Sequence, residues 1–135
     1  MDISSGSRAV GLQAMAGSGI ALDPAPLVGS WSNTNPEGRG FVRLDVESRG
    51  GELRVRTFGA GSPQPVDWGQ IAAAAFAKEP AARTATAFSA FYDLGFLRAH
   101  LQANVKQGVL VVASFNEFRD GSGRSSYFTR EFFFR

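Results

Sequence analysis

Cysteine is absent from the sequence and histidine occurs once, as His100. The first absence removes disulfides, thiolate metal sites and cysteine nucleophiles together. The second leaves no histidine cluster to ligate a transition metal. No metal or other cofactor is therefore expected. No apolar run approaches the ~20 residues that a membrane-spanning helix needs. Charge is also sparse, at 19% Asp, Glu, Lys and Arg with a formal net charge of +2. No block of Lys and Arg interleaves with aromatics as a nucleic-acid groove would require, so nucleic acid is not an expected partner. A G-x-S-x-G turn is lacking too, which leaves a hydrolase triad without its nucleophile.

What the chain does have is 16 glycines and 12 phenylalanines in 135 residues. That pairing suits aromatic-rich strands joined by tight turns. A chain of this length forms one domain that buries roughly two-thirds of its unfolded surface. Residues 1–26 are rich in Gly, Ser and Ala, with a weak helical stretch at Ala9 to Ala16, and read as a flexible N-terminal arm. They carry neither the basic start nor the apolar core of a secretory signal, which points to a cytoplasmic location. Residues 27–135 make the domain.

From Leu27 onward, short runs alternate with period two and each closes on Gly, Pro, Asn or Asp. Eight such runs are expected: Leu27 to Asn33, Gly40 to Glu47, Glu52 to Phe58, Val66 to Phe76, Thr84 to Tyr92, a sixth from about Leu97 to Val105, Val109 to Phe118, and Arg124 to Phe134. Only the run Ala72 to Ala75 competes, because its helix propensity would allow a helical turn between Ile71 and Lys78. Connections this short force neighbouring strands to pair antiparallel. Eight strands in order remove their two free edges by closing. The fold class expected is all-β, an eight-stranded antiparallel up-and-down barrel, with a two-sheet sandwich as the alternative.

The sixth run shows the two faces best, with Leu97, Ala99, Leu101, Ala103 and Val105 on one side and Arg98, His100, Gln102 and Asn104 on the other. With apolar faces inward, the small residues Ala72, Ala74, Ala85, Ala87, Ser89, Ala99, Ala103 and Ala113 would leave space, and a barrel of eight strands can enclose one small ligand. The lining expected for such a cavity is Trp68, Phe91, Phe115, Phe128 and Phe132, with Arg130 or Arg43 as polar anchor. Arg130, set between Phe128 and Phe132, would either close one barrel end over Trp31 or pair with an anionic ligand group.

Gly29-Ser30-Trp31 on the first strand, with Arg130 on the last, resembles the calycin superfamily of lipocalins, fatty-acid-binding proteins and avidins. The resemblance implies a barrel whose tryptophan packs at the base near a late arginine, and which takes a small, mostly apolar molecule inside. The chain also looks like a group of uncharacterised small bacterial domains that share Trp-x-Asn, Asp-Trp-Gly and Asp-Gly-Ser-Gly-Arg, here Trp31 to Asn33, Asp67 to Gly69 and Asp120 to Arg124. That group implies no activity.

The leading expectation is thus a non-enzymatic protein that binds a small apolar or amphipathic molecule. Whether the chain is a monomer or a homodimer is left open. Two rivals stand beside it. One is a small isomerase or cyclase that shapes a substrate in a dry cavity with one acid/base group, for which His100 and Glu131 are the residues to test; were the polar faces turned inward instead, Arg43, Arg54, Arg56, His100, Tyr127 and Glu131 would converge and suggest a polar or anionic ligand. The other is a carbohydrate- or protein-interaction module that uses exposed aromatics such as Trp68 and Tyr127.

Overall fold

The structure, a computed structural model, describes residues 20–135. Eight strands follow in order: β1 (Gly29–Asn33), β2 (Phe41–Arg49), β3 (Glu52–Gly59), β4 (Val66–Phe76), β5 (Ala87–Asp93), β6 (Leu97–Lys106), β7 (Val109–Phe118) and β8 (Tyr127–Phe134). Each pairs antiparallel with the next and β8 returns to β1, so the sheet closes into a barrel. The closing seam is short, with Ser32 opposite Phe134 and Asn33 opposite Phe133. No helix long and apolar enough to cross a membrane occurs among the described residues.

The strands form where the alternation placed them, and the differences lie at their ends. β5 begins at Ala87 and β8 at Tyr127, later than the sequence pattern suggests. β4 stays extended through its alanine run in spite of the helix propensity there. Leu53 pairs with Ala73 on one side and Ala74 with Ser89 on the other, and Ala73 and Ala75 pack against the core. Ladder pairing on both edges outweighs an intrinsic preference worth a few tenths of a kcal/mol per residue.

One end of the barrel is closed. Trp31 is fully buried and its indole N–H donates to the Leu27 carbonyl at 2.9 Å. The Arg135 guanidinium lies 4.6 Å above its ring and donates to the carbonyls of Ala25 and Val28. The late arginine at this tryptophan is therefore Arg135. Arg130 faces the opposite way, because neighbours on a strand point to opposite sides and Phe133 holds the inward phase of β8. Residues 1–19, including the stretch Ala9 to Ala16, lie outside the described residues. The last part of the segment read as an arm is bound to the closed end: Asp23 bridges Thr84 in parallel, and Leu22 packs on the core.

The interior is filled rather than hollow. Trp31, Phe88, Tyr92, Phe133, Leu44, Leu101 and Leu110 are the larger side chains that pack the middle, all 2% exposed or less. Burying each of the apolar ones is worth about 1.5–3 kcal/mol against leaving it in water. Of the small residues expected to open a cavity, Ala85, Ala99 and Ala103 do face inward. Ala72, Ala74, Ala87, Ser89 and Ala113 do not. Their partners across the ladders, such as Ser89 opposite Gln102 and Gln102 opposite Ala113, lie on the outer phase of the sheet.

A cup at the open end and a groove on the outer wall

The end opposite Trp31 is open, and there the inward phase turns polar. A cup of about 220 Å³ sits among the loops, walled by Phe41, Trp68, Phe96 and Tyr127 and floored by Ser114, Asn116 and Thr129. Trp68 reaches inward through two local features. Gly69 adopts φ +89°, a conformation that costs a side-chain-bearing residue dearly, where the β3–β4 ladder slips register between Arg56 and Phe58. Gly59 lies so close to the indole that a Cβ there would come within 2.9 Å of Nε1. The ring then meets Phe41 and Tyr92 edge-on, at centroid distances of 4.9 and 5.3 Å.

The same register slip leaves backbone groups unpaired, and Tyr92 satisfies them from inside the barrel. Its hydroxyl accepts from the Thr57 N–H at 3.1 Å and donates to the Gly69 carbonyl at 2.7 Å. Burial pushes the phenol above its ordinary pKa.

On the cup floor the hydroxyls of Ser114 and Thr129 share a 2.6 Å hydrogen bond, and the Asn116 amide donates to the Ser114 hydroxyl at 2.9 Å. The other half of that amide, Asn116 Oδ1, is buried with no partner. An orphaned buried acceptor costs about 1–3 kcal/mol, so a donor delivered to it would be favoured. Glu131 also faces inward, but its carboxylate is occupied: it accepts from the Asn33 amide at 3.1 Å and the Phe41 N–H at 3.2 Å.

A larger groove of about 530 Å³ runs along the outer wall of β4 to β8. Cross-strand register builds it in rows. Phe91, His100, Phe115 and Phe128 stand opposite one another across β5, β6, β7 and β8, and this row, of which His100 lines the groove, borders it as an upper bank. The next row is Ser89, Gln102, Ala113 and Arg130, and the third is Phe76, Ala87, Asn104, Val111 and Phe132. Phe91 stacks on the His100 imidazole at 4.1 Å with a 10° interplanar angle, and burial lowers the histidine pKa below its ordinary 6.5. The phenylalanines themselves stay in water: Phe91 is 69% exposed, Phe115 50% and Phe128 54%.

The residues expected to line one interior cavity are thus divided among three places. Trp68 is in the cup. Phe91, Phe115, Phe128, Phe132 and Arg130 are on the outer wall. Arg43 is on the far flank, paired with Asp45 and stacked on Phe58 at 4.1 Å. On β8 the misplacement has a simple cause: Phe132, Phe133 and Phe134 are consecutive, so hydrophobicity cannot tell which phase faces inward. On β7 the apolar Phe115 faces out while Ser114 and Asn116 face in. Continuing the phase of Leu110 and Val112 would have found both polar residues. Phe41 and Thr129 were likewise not foreseen at the cup, whereas Tyr127 was singled out as an exposed aromatic and stands on its rim.

His100 and Glu131 occupy opposite faces of the barrel wall, so they do not form one acid/base pair. Asp120 to Arg124 is a turn: Asp120 accepts from the Ser122 N–H and from Arg124, contacts that hold its carboxyl down at about 2. Among the described residues no three His, Asp or Glu side chains gather as a metal site would require. Comparison with protein-family models, curated proteins and solved structures finds no match for this chain.

Proposed function

We infer that this is a binding protein that takes a small amphipathic molecule into the open end of its barrel. The observation that carries the reading is Asn116, an amide on the floor of an aromatic-walled cup whose oxygen lacks a donor. A ring or short chain bearing one N–H or O–H would rest between Phe41, Trp68 and Tyr127 and, with a small turn of the Asn116 side chain toward the cup, donate to that oxygen. Aromatic walls around a few fixed polar groups are the usual make-up of small-molecule sites. The barrel closed at Trp31 under Arg135 and open at the other end accords with the calycin-like reading of Gly29-Ser30-Trp31, and so supports a ligand at the mouth rather than in the filled middle.

Size narrows the class. At ~30 Å³ per water, 220 Å³ holds on the order of seven waters, which suits a single substituted ring and not a whole fatty acid or retinoid. The test is an NMR titration with a library of single-ring amphiphiles, followed at the Trp68 indole N–H. Expected are saturable shifts at Trp68, Phe41 and Tyr127, with affinity falling about tenfold in Asn116→Leu, which removes the acceptor at similar volume. Thermal melting controls for folding of the variant. Binders that leave the Trp68 signal unmoved, or that bind Asn116→Leu as tightly as the parent, would refute the reading.

A further inference from the structure

The outer groove is independent of the cup, and one of its charges is anomalous. Six arginines lie on the strands, and five of them are ion-paired: Arg43 with Asp45, Arg49 with Glu47, Arg54 with Glu52, Arg56 with Asp67 and Arg98 with Asp93. The sixth, Arg130, has no carboxylate partner among the described residues and lies 5.2 Å from the Phe132 ring. It is also the one of the six that lines the groove, and among the described residues no Asp or Glu lines it.

We propose that this groove binds an acidic oligosaccharide, with Arg130 pairing a sugar carboxylate and the exposed rings that border the groove stacking on sugar rings. Three features select that chemistry. The lining is low where Ala87, Ser89 and Ala113 form it, with the His100 ring on one side and the Phe76 ring at one end, and so admits a thin extended chain. Beside Arg130, its hydrogen-bonding side chains are Ser89, Gln102, Asn104 and the His100 imidazole, each able to donate and accept as a row of hydroxyls demands. The charge that the groove leaves uncompensated is a cation, and a planar guanidinium matches a carboxylate in two-point geometry.

The alternatives fit less well. A second copy packed face to face would bury two unpaired guanidiniums and bring no carboxylate from the groove to meet them, which is costly. A peptide strand would gain no backbone pairing, because the ladders from β5 through β8 are complete along this wall.

The probe is a short oligogalacturonate, compared with its fully methyl-esterified form, by calorimetry and by amide and side-chain NMR shifts. The acid should bind with shifts at Gln102 and Asn104. Affinity should fall about tenfold on esterification and by a similar factor in Arg130→Gln, while Arg54→Gln on the far flank binds as the parent does. Phe115→Ser should weaken both forms through lost stacking. Absence of binding, equal binding of acid and ester, or an equal loss in Arg54→Gln each overturns the proposal. So does a dimer by light scattering that Phe115→Ser dissociates, since the face would then be a subunit interface. Shifts at Trp68 are not expected, so failure here and failure at the cup are read separately.

Discussion

The two flanks of the barrel share one interior and present opposite exteriors. From β1 to the start of β4 the outward side chains include Ser30, Arg43, Asp45, Glu47, Arg54, Arg56 and Asp67, knitted by contacts such as Ser30 to Asp45 at 2.8 Å and Arg56 to Asp67 at 2.8 Å, with the outward Phe58 ring covered by Arg43. From β5 to β8 the outward set includes Phe91, Phe115, Phe128, Phe132 and Phe134, each at least 40% exposed. Inward, both flanks carry the same kind of residue: Leu44, Val46 and Val55 on one, Phe88, Leu101 and Val112 on the other. The difference teaches that folding does not need the outward phenylalanines. A closed barrel is specified by its inward phase, and the charged flank shows what an outward phase looks like when it only has to meet water. Contiguous exposed aromatics on a small domain mark a surface with a further task.

If the inner phase alone carries the fold, truncation inside and outside must differ sharply, and this is the largest effect expected. Leu44→Ala on the charged flank and Leu101→Ala on the aromatic flank should each lose about 2–5 kcal/mol in urea unfolding, through lost burial and a residual cavity. Phe115→Ser should lose about 1 kcal/mol or less, the worth of its cross-strand contact with Phe128 at 5.0 Å. A loss for Phe115→Ser as large as that for Leu101→Ala would break the comparison, because the outer row would then be part of the fold.

How far this division could be read from the sequence follows from the same contrast. The eight strands, their order and the closed barrel were legible because turns and period-two alternation are local signals, and the polar loops break them cleanly. The inward phase of β6 was legible as well, since Leu97 through Val105 alternate strictly with Arg98 through Asn104. Phase was not legible where both faces are apolar, as at Phe132 to Phe134, or where the inward face is polar, as at Ser114 and Asn116. Only the ladders, which set Phe115 opposite both His100 and Phe128, fix those strands. The cup was hidden for a further reason. It depends on a register slip at Gly69 and on the close approach of Gly59 to Trp68, and neither leaves a pattern in one sequence.

The junction between the flanks gives the second prediction. β4 and β5 share only three residue pairs, from Ala74 opposite Ser89 to Phe76 opposite Ala87, and nearer the open end Tyr92 bridges instead of a ladder. Tyr92→Phe keeps the ring and its contact with Trp68 but strands the Thr57 N–H and the Gly69 carbonyl. The expected cost is about 1–3 kcal/mol, with faster amide exchange at Thr57. Unchanged stability and exchange would mean that the open-end part of this junction, beyond the three ladder pairs, is held by ring packing alone.

The smallest effect tests whether the aromatic row is in contact with itself in solution. His100 lies between Phe91 and Phe115 in that row, and partial burial there disfavours its charged form, so its folded pKa lies below 6.5. The unfolded chain then binds a proton first as pH falls. Stability should be at its full value above 6.5, decline as pH drops through the interval down to the folded pKa, and contribute no further slope below it. NMR titration of the imidazole should give the lowered pKa directly. Phe91→Ser, by exposing the ring, should return it toward 6.5 and flatten the stability slope in that interval, whereas Arg54→Gln on the charged flank should leave both unchanged. A histidine that titrates at its ordinary value in the parent protein would mean that Phe91 and His100 do not stay stacked, and the upper bank of the groove would lose its rigidity.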